Sequence, residues 1–485
     1  MSAAYARLDA VTDAGPSHPM PHASGTPHLT ADDLVSLTGG RLIARSDRPI
    51  RHAAVDSRLV EPGRLFVALP GERTDGHAFV ADAVERGAAA IIVTRPVPAP
   101  AGDVSVIRVA DGLTALAAVA GGWRRRFDPL VVGVTGSIAK TSTKEAVAAV
   151  LASRLTTLRS EGNRNNEVGL PLTVLDLGPE HQAVVLEMGM YVGGEIADLA
   201  RVARPSIGVV TAVQAVHLSR IGSLEAIERA KGELVEALPA NGTAVLNADD
   251  PIVVRMTERT VARAITYGFG PAADVGAESV ASNGMAGMDF VLRLPDGRHA
   301  ARIPALGALS VHNGLAAAAV GLAAGLTADE ILAGLRDGWS APHRVQLVRA
   351  GGVTIVDDTY NASPGSMVAA LDVLAGLPGR RIAVLGEMLE LGDRHDDGHR
   401  TVGEAAAGIA DRLVIVGEGA TGIADGAMQA GLEPSRIAVV RDTEAALDHL
   451  LPRLRQGDVV LLKASRGVGL DRLVASLRAE LGPAT

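Results

Sequence analysis

The first chemical signal is a run of glycines and hydroxyls that ends in Lys-Thr: Gly133-Val134-Thr135-Gly136-Ser137-Ile138-Ala139-Lys140-Thr141-Ser142. An apolar stretch, Leu130-Val131-Val132, leads into it, and a helical pattern carrying Val147, Val150, Leu151 and Leu155 leads out. Strand, glycine loop, Lys-Thr and helix make the layout of a phosphate cradle. Backbone N–H groups of such a loop point at the anion, and the helix N-terminus adds its dipole. Lys140 would neutralise the β- and γ-phosphates of a bound nucleotide, and the Thr141 hydroxyl would hold Mg²⁺. Gly133, Thr135, Gly136, Ser137, Ile138, Ala139 and Ser142 complete the expected nucleotide-binding segment. The strict spacing wants glycine where Val134 and Ala139 stand, and alanine tolerates left-handed backbone angles poorly. Read alone, the segment also fits an ordinary strand-to-helix turn with a surface lysine.

Further candidates stand at the carboxyl ends of strand patterns, where open α/β sheets place their ligands. Glu187 ends Val184-Val185-Leu186 and would face the loop as a Mg²⁺ ligand, with a solvated strand-end carboxylate as the bland alternative. His217 follows Val209-Val210-Thr211 and is a candidate ligand of a second metal, although structural or exposed histidines are commoner. Asp357 and Asp358 follow Thr354-Ile355-Val356, where a simple turn would serve as well. Lys231 is anomalous. The segment Ser223 to Leu238 reads as a helix with Leu224, Ile227, Leu234, Val235 and Leu238 on one stripe, and Lys231 falls on that apolar face. Either its ammonium snorkels to water, or it is an inward amine that is modified or paired with a ligand.

These groups need sheets to hold them. A chain of 485 residues is expected to form about three domains. Residues 1–27 read as a loose tail and 28–128 as a first compact unit with strands at Leu65 to Leu69 and Ala90 to Val93. Residues 129–343 read as a central unit whose apolar runs (from Leu130, Ala183, Ile207 and Ala244) alternate with helices, which predicts a mostly parallel sheet. Residues 344–485 carry strand candidates at Val353, Ile382, Leu413, Ile437 and Val459 and read as a small doubly wound unit without a G-x-G-x-x-G fingerprint.

Composition removes several classes of function. The chain has no cysteine, so disulfides, thiolate nucleophiles and Cys-based zinc sites are excluded. A net charge of -9 and an aromatic share of 2% leave neither a basic track nor stacking platforms, so no nucleic-acid partner is expected. The densest basic patch, Arg124-Arg125-Arg126, reads as a solvated helix end. No apolar stretch reaches the ~20 residues needed to span a bilayer, and the N-terminus lacks a signal-peptide core. The expectation is a cytoplasmic monomer without membrane insertion.

Other segments fall into a series along the chain. Asp56-Ser57-Arg58, Pro62 to Leu69 and Asp75-Gly76-His77 come first, then the phosphate loop, then Gly162-Asn163-Arg164-Asn165-Asn166-Glu167. Leu186-Glu187-Met188-Gly189, His217-Leu218, Ala230-Lys231-Gly232-Glu233 and Leu246-Asn247-Ala248-Asp249-Asp250-Pro251 follow. His312-Asn313, Pro342-His343-Arg344, Asp357-Asp358-Thr359-Tyr360-Asn361-Ala362-Ser363-Pro364 and Lys463-Ala464-Ser465-Arg466 close it. This ordered series resembles the Mur ligase family over nearly the whole chain beyond the tail. Ala139, Ala212, Leu309-Ser310 and Ala464 depart from the family's usual residues.

The resemblance implies an α/β fold of three domains. These would be a small uridine-nucleotide-binding domain, a central P-loop-type ATPase domain and a Rossmann-like domain that binds a dipeptide. It implies an ATP- and Mg²⁺-dependent ligase of peptidoglycan precursor synthesis. The reaction would add D-alanyl-D-alanine to UDP-MurNAc-tripeptide through an acyl phosphate. By the same resemblance Lys140, Lys231, Glu187 and His217 are catalytic, and Thr141, Glu187, His217 and Lys231 (as a carbamate) hold metal. Asn313 would contact adenine, and Arg344 and Asp358 would complete the nucleotide site. Ser57, Arg58, Asn163, Asn165, Asn166, Asn361, Ser363 and Arg466 would bind substrates, with Tyr360 to Pro364 marking the dipeptide-adding branch. Two alternatives stay open: a Mur-type ligase with a different amine, and a nucleotide-binding protein without ligase activity, which Ala139 favours.

Overall fold

The computed structural model describes residues 26–71, 74–99, 101–214 and 223–483. The expected tail therefore lies almost wholly outside the described residues, as does His217.

The first sheet contains β1 (Arg41–Ala44), β2 (Ala53–Ala54), β3 (Leu65–Val67), β4 (Ala90–Val93) and β5 (Ser105–Arg108) in the order β1-β5-β4-β3-β2. It is parallel except for the edge strand β1. The second sheet contains β6 (Leu130–Thr135), β7 (Thr157–Arg159), β8 (Ala183–Glu187), β9 (Ile207–Val210), β10 (Thr243–Asn247), β11 (Arg263–Gly268), β12 (Val275–Ser282), β13 (Met288–Leu294) and β14 (Gly297–Ile303). Its order is β14-β13-β12-β11-β10-β9-β6-β8-β7. The third contains β15 (Gln346–Ala350), β16 (Val353–Asp357), β17 (Arg381–Gly386), β18 (Arg412–Val416), β19 (Ile437–Val440) and β20 (Val459–Lys463) in the order β15-β16-β20-β17-β18-β19, parallel apart from β15.

Every apolar run read as a strand falls in one. The antiparallel extension β12-β13-β14 is additional. Its middle strand alternates buried Met288, Phe290, Leu292 and Leu294 with half-buried residues, so it presents no continuous apolar run.

In the second sheet successive side chains point to opposite faces. Val132, Val134 and Val185 join one core, beneath the helices Lys140–Ala152, Ala308–Ala323 and Ala328–Asp337. Val131, Val184 and Leu186 join another, beneath Gly169–Leu175, Glu195–Ala203 and the first unit. The expected solvated arginine patch is not uniform. Arg124 is buried and donates to the carbonyls of Ala203 at 3.0 Å and Phe127 at 2.8 Å, carbonyls that end a helix and a turn. Among the described residues no helix is long and apolar enough to cross a membrane.

Candidate active site

The carboxyl ends of β6 and β8, with the loop after β16 and the end of β20, open onto one cleft of about 1520 Å³, walled mainly by the second and third units, with Asp111, Leu113 and Ala117 of the first at its margin.

Its floor is the phosphate loop. Gly136 adopts a positive φ of 150°, and a Cβ there would collide with the Thr211 hydroxyl, so only glycine fits. That hydroxyl donates to the Ile138 carbonyl at 2.6 Å, and the Ser137 N–H donates to the Ala212 carbonyl at 2.8 Å. Ala139, the residue in the place of a glycine, takes the left-handed conformation itself (φ 64°, ψ 0°) and starts the helix. The loop keeps its shape with a strained alanine. Lys140 folds back and donates to the Gly136 carbonyl at 2.7 Å. Desolvation lowers the pKa of this ammonium; Glu187 opposes that and the Arg344 charge adds to it.

Glu187 ends β8 and is buried, at 2% exposure. Its Oε1 accepts from the Asn165 amide at 2.8 Å, while Oε2 is buried with no hydrogen-bond partner among the described residues. A buried carboxylate oxygen without a donor is costly. A hard cation supplies what is missing, so the donor set fits Mg²⁺. Thr141, also buried, stands on the same floor.

Lys231 lies on the helix Leu224–Glu236, is 4% exposed and lines the cleft. Burial pushes its pKa well below the ordinary lysine range, and Lys140 adds to the shift. The helical stripe is real, and its one amine enters the site desolvated. Burial thus favours the neutral amine, a nucleophile, over the ammonium.

The opposite wall comes from the third unit. Arg344 reaches across to Thr141, donating from Nη2 to Oγ1 at 3.1 Å, and its buried Nε has no partner among the described residues. Its guanidinium stacks 4.0 Å from the Tyr360 ring centroid, and that of Arg466 lies 5.4 Å from the same ring. Asp358 is held by buried Lys463, whose Nζ lies 2.6 Å from Oδ2 and also donates to the Asn361 carbonyl at 3.0 Å. At the far end buried Asn313 accepts from the Thr143 hydroxyl at 3.1 Å, and His312 packs against Tyr267 and Phe269 with centroid distances of 5.0 and 5.5 Å.

The cleft wall thus includes Gly136 to Ser142, Asn163, Asn165, Asn166, Glu187, Lys231, Asn313, Arg344, Asp358, Asn361, Ser363 and Arg466. Some expected residues lie elsewhere. Gly133 is packed against Leu234 and Met188, and buried Thr135 donates to the Met188 carbonyl at 2.8 Å; both sit inside β6 and carry the loop without facing the cleft. Ser57 and Arg58 belong to the first unit. Ser57 is buried and bonds Asp82, and the exposed guanidinium of Arg58 pairs with Asp56 at 2.6 Å. Lys463 and Tyr360 are among the residues without an expected role that line the cleft. Lys463 carries the same signal as Glu187, a charged residue ending an apolar strand.

Family models match three consecutive stretches of the chain: "Mur ligase family, catalytic domain" over residues 49–124, "Mur ligase middle domain" over 134–321 and "Mur ligase, glutamate ligase domain" over 343–466. The chain belongs to the Mur ligase family, and its three sheets form the three-domain α/β fold of that family. The UDP-N-acetylmuramoyl-tripeptide–D-alanyl-D-alanine ligase of Mycobacterium tuberculosis is 38% identical, over 93% of this chain and 98% of the relative. Among solved structures, MurF from Acinetobacter baumannii superposes with a TM-score of 0.84 at 31% identity, covering 94% of this chain and 99% of the other. MurF ligase from Thermotoga maritima in complex with ADP gives 0.78 at 30% identity, covering 89% and 98%.

Proposed function

We propose that this protein is an ATP-dependent, ADP-forming ligase that joins D-alanyl-D-alanine to UDP-N-acetylmuramoyl-tripeptide. The observation that carries this reading is the single cleft in which the phosphate loop, Glu187 and desolvated Lys231 face Arg344, Asn361 and Arg466 from another domain. The relatives named above carry out, by name, the same joining reaction.

A carboxylate is a poor electrophile. The γ-phosphoryl of ATP therefore passes to the terminal carboxylate of the tripeptide, which releases ADP and leaves an acyl phosphate. Lys140 and Arg344 offset the charge on the transferring group, from the floor and the opposite wall. The amine of the dipeptide then attacks the acyl carbon, a tetrahedral intermediate forms, and it collapses with loss of phosphate and a proton. Mg²⁺, when bound, supplies charge neutralisation and a template for the phosphates; Thr141 and Glu187 would hold it, with His217 as a further ligand. Lys231 is suited to attack CO₂, forming an N–C bond and losing a proton, so that the resulting carbamate restores the missing anion for a second Mg²⁺. Native mass spectrometry with and without bicarbonate tests this, and no CO₂ adduct at Lys231 would exclude it.

In this reading the uridine nucleotide would bind residues 28–128 with Ser57 and Arg58, ATP 129–343 with Asn313 near adenine, and the dipeptide 344–485. Asn163, Asn165 and Asn166 would hold the acyl substrate, and Asn361, Ser363 and Arg466 the dipeptide, with Asp358 completing the nucleotide site. A cytoplasmic monomer is part of the same reading.

The test is phosphate release with ATP, UDP-MurNAc-tripeptide and D-Ala-D-Ala, each omitted in turn. Turnover should need all three, and Lys140→Ala should lower it at least about 10³-fold. Turnover with another amine at equal rate, or ATP binding without amine-dependent turnover, would overturn the proposal.

A further inference from the structure

Lys144 stands one helical turn beyond Lys140 on the helix Lys140–Ala152, yet it is absent from the cleft wall and is 0% exposed. Burying an ammonium is expensive unless it is paired and hydrogen-bonded. Its Nζ donates to the Ser160 carbonyl at 2.6 Å, approaches the Gly162 carbonyl at 3.5 Å, and lies 2.8 Å from the Glu145 carboxylate. Glu145 in turn pairs with Arg159 at 2.7 Å. The charge is thus fully engaged, and the backbone carbonyls it reaches belong to a single loop.

That loop grips Glu187. The Ser160 hydroxyl accepts from the Glu187 N–H at 3.2 Å, and the Asn165 amide donates to Glu187 Oε1 at 2.8 Å. The Asn165 carbonyl also accepts from Gly189 N–H at 2.8 Å, just past the strand end. Two bonds from the loop therefore fix one carboxylate oxygen and the backbone of Glu187, and Oε2 is left free. Lys144 connects the phosphate-loop helix to this clamp. An apolar side chain of equal length would fill the space and leave the Ser160 carbonyl unpaired in the interior.

We propose that Lys144 is a positioning residue that ties the asparagine loop to the phosphate-loop helix and so aims the free oxygen of Glu187 at the metal. The inference rests on the reading of Glu187 as a metal ligand. Groups that orient a ligand in this way change metal affinity by about 10- to 100-fold when removed.

The experiment is an equilibrium titration of the full chain with Mn²⁺ in the presence of ADP, followed by electron paramagnetic resonance, without turnover. Lys144→Met should raise the Mn²⁺ Kd by about 10- to 100-fold. A Kd within about twofold of the parent, on protein with native circular dichroism, overturns the proposal. Should Lys144→Met not fold, Ser160→Ala cuts the same path at its last bond; a rise of about threefold or more supports the proposal, and an unchanged Kd overturns it. Glu187→Gln separates the two layers. If it weakens Mn²⁺ while Lys144→Met does not, only the positioning role falls. If it leaves Mn²⁺ binding intact, the metal assignment falls and the proposal with it.

Discussion

Where the first domain meets the middle one, the contact is a continuation of the core. Leu34, Leu116 and Trp123 share one apolar cluster with Leu170, Val174 and Leu199 of the middle domain, and the Trp123 indole donates to the Leu177 carbonyl at 2.9 Å. Where the third domain meets the middle one, the contact is mostly an open cleft. It is bridged by Arg344 on Thr141 and, at one edge, by apolar Leu306 and Met285 against the third domain's core. Apolar burial resists separation in proportion to area, whereas exposed or half-solvated polar contacts contribute little. The first seam therefore holds two domains as one body. The second is crossed by few apolar contacts and keeps its charged groups facing the cleft; a change in interdomain distance by solution scattering when ATP and both substrates are added is the outcome expected if the third domain closes to shield the acyl phosphate from water.

The largest effect should come from cutting the apolar seam. Trp123→Ala removes a buried indole and its hydrogen bond, and should cost about 3–5 kcal/mol of stability in chemical denaturation. Phosphate release per folded molecule should stay near the parent value, because Trp123 does not line the cleft. A normal denaturation midpoint would show that the seam is not continuous core. The converse belongs to the polar seam. Arg344→Ala should lower turnover by about 10²- to 10³-fold and leave the denaturation midpoint nearly unchanged. A comparable loss of stability would erase the contrast between the two seams.

The same contrast separates what was legible in the sequence from what was not. Strand ends were readable, because an apolar run that stops at a charged residue marks both the strand and its ligand-facing end. Glu187, Asp357 and Lys463 all obey this rule. Lys231 was readable as a charged residue on an apolar helical stripe. Lys144 satisfies the same test, three and seven residues before Val147 and Leu151, but sits in a polar stretch, Thr141 to Glu145, that disguises it. Arg344 carries no local signal, since its partner Thr141 lies 203 residues away and only the domain arrangement joins them. The hairpins β12-β13-β14 leave little trace in the sequence, because period-two burial is quieter than an apolar run.

A finer division within the polar seam concerns the two guanidiniums that pack on Tyr360. Arg344 bonds Thr141 of the phosphate loop, while Arg466, farther from the Tyr360 ring, is the one proposed for the dipeptide. Arg466→Ala should raise the KM for D-Ala-D-Ala by about 10- to 100-fold, about 1.4–2.8 kcal/mol, and move the KM for ATP by less than about threefold. Equal shifts in both would mean that the stacked arginines serve one anion.

The smallest effect should come from the strained floor of the cleft. Ala139 holds φ at 64°, a conformation that costs an alanine about 1–2 kcal/mol relative to glycine. Ala139→Gly removes that strain but gives the unfolded chain more freedom, which returns about 0.4–1 kcal/mol. The net should be a gain of about 0.5–1 kcal/mol, seen as a small rise in Tm. Gly136 sets the limit to this reasoning, because a side chain there would strike Thr211, whereas at Ala139 the methyl group is already accommodated. Ligand affinity should move little, since the loop keeps its hydrogen bonds to Thr211 and Ala212 in either case. A fall in Tm would mean that the methyl group packs in the cleft more favourably than its backbone is strained. A several-fold tighter ADP complex would instead mean that the alanine loosens the phosphate cradle as well as straining it.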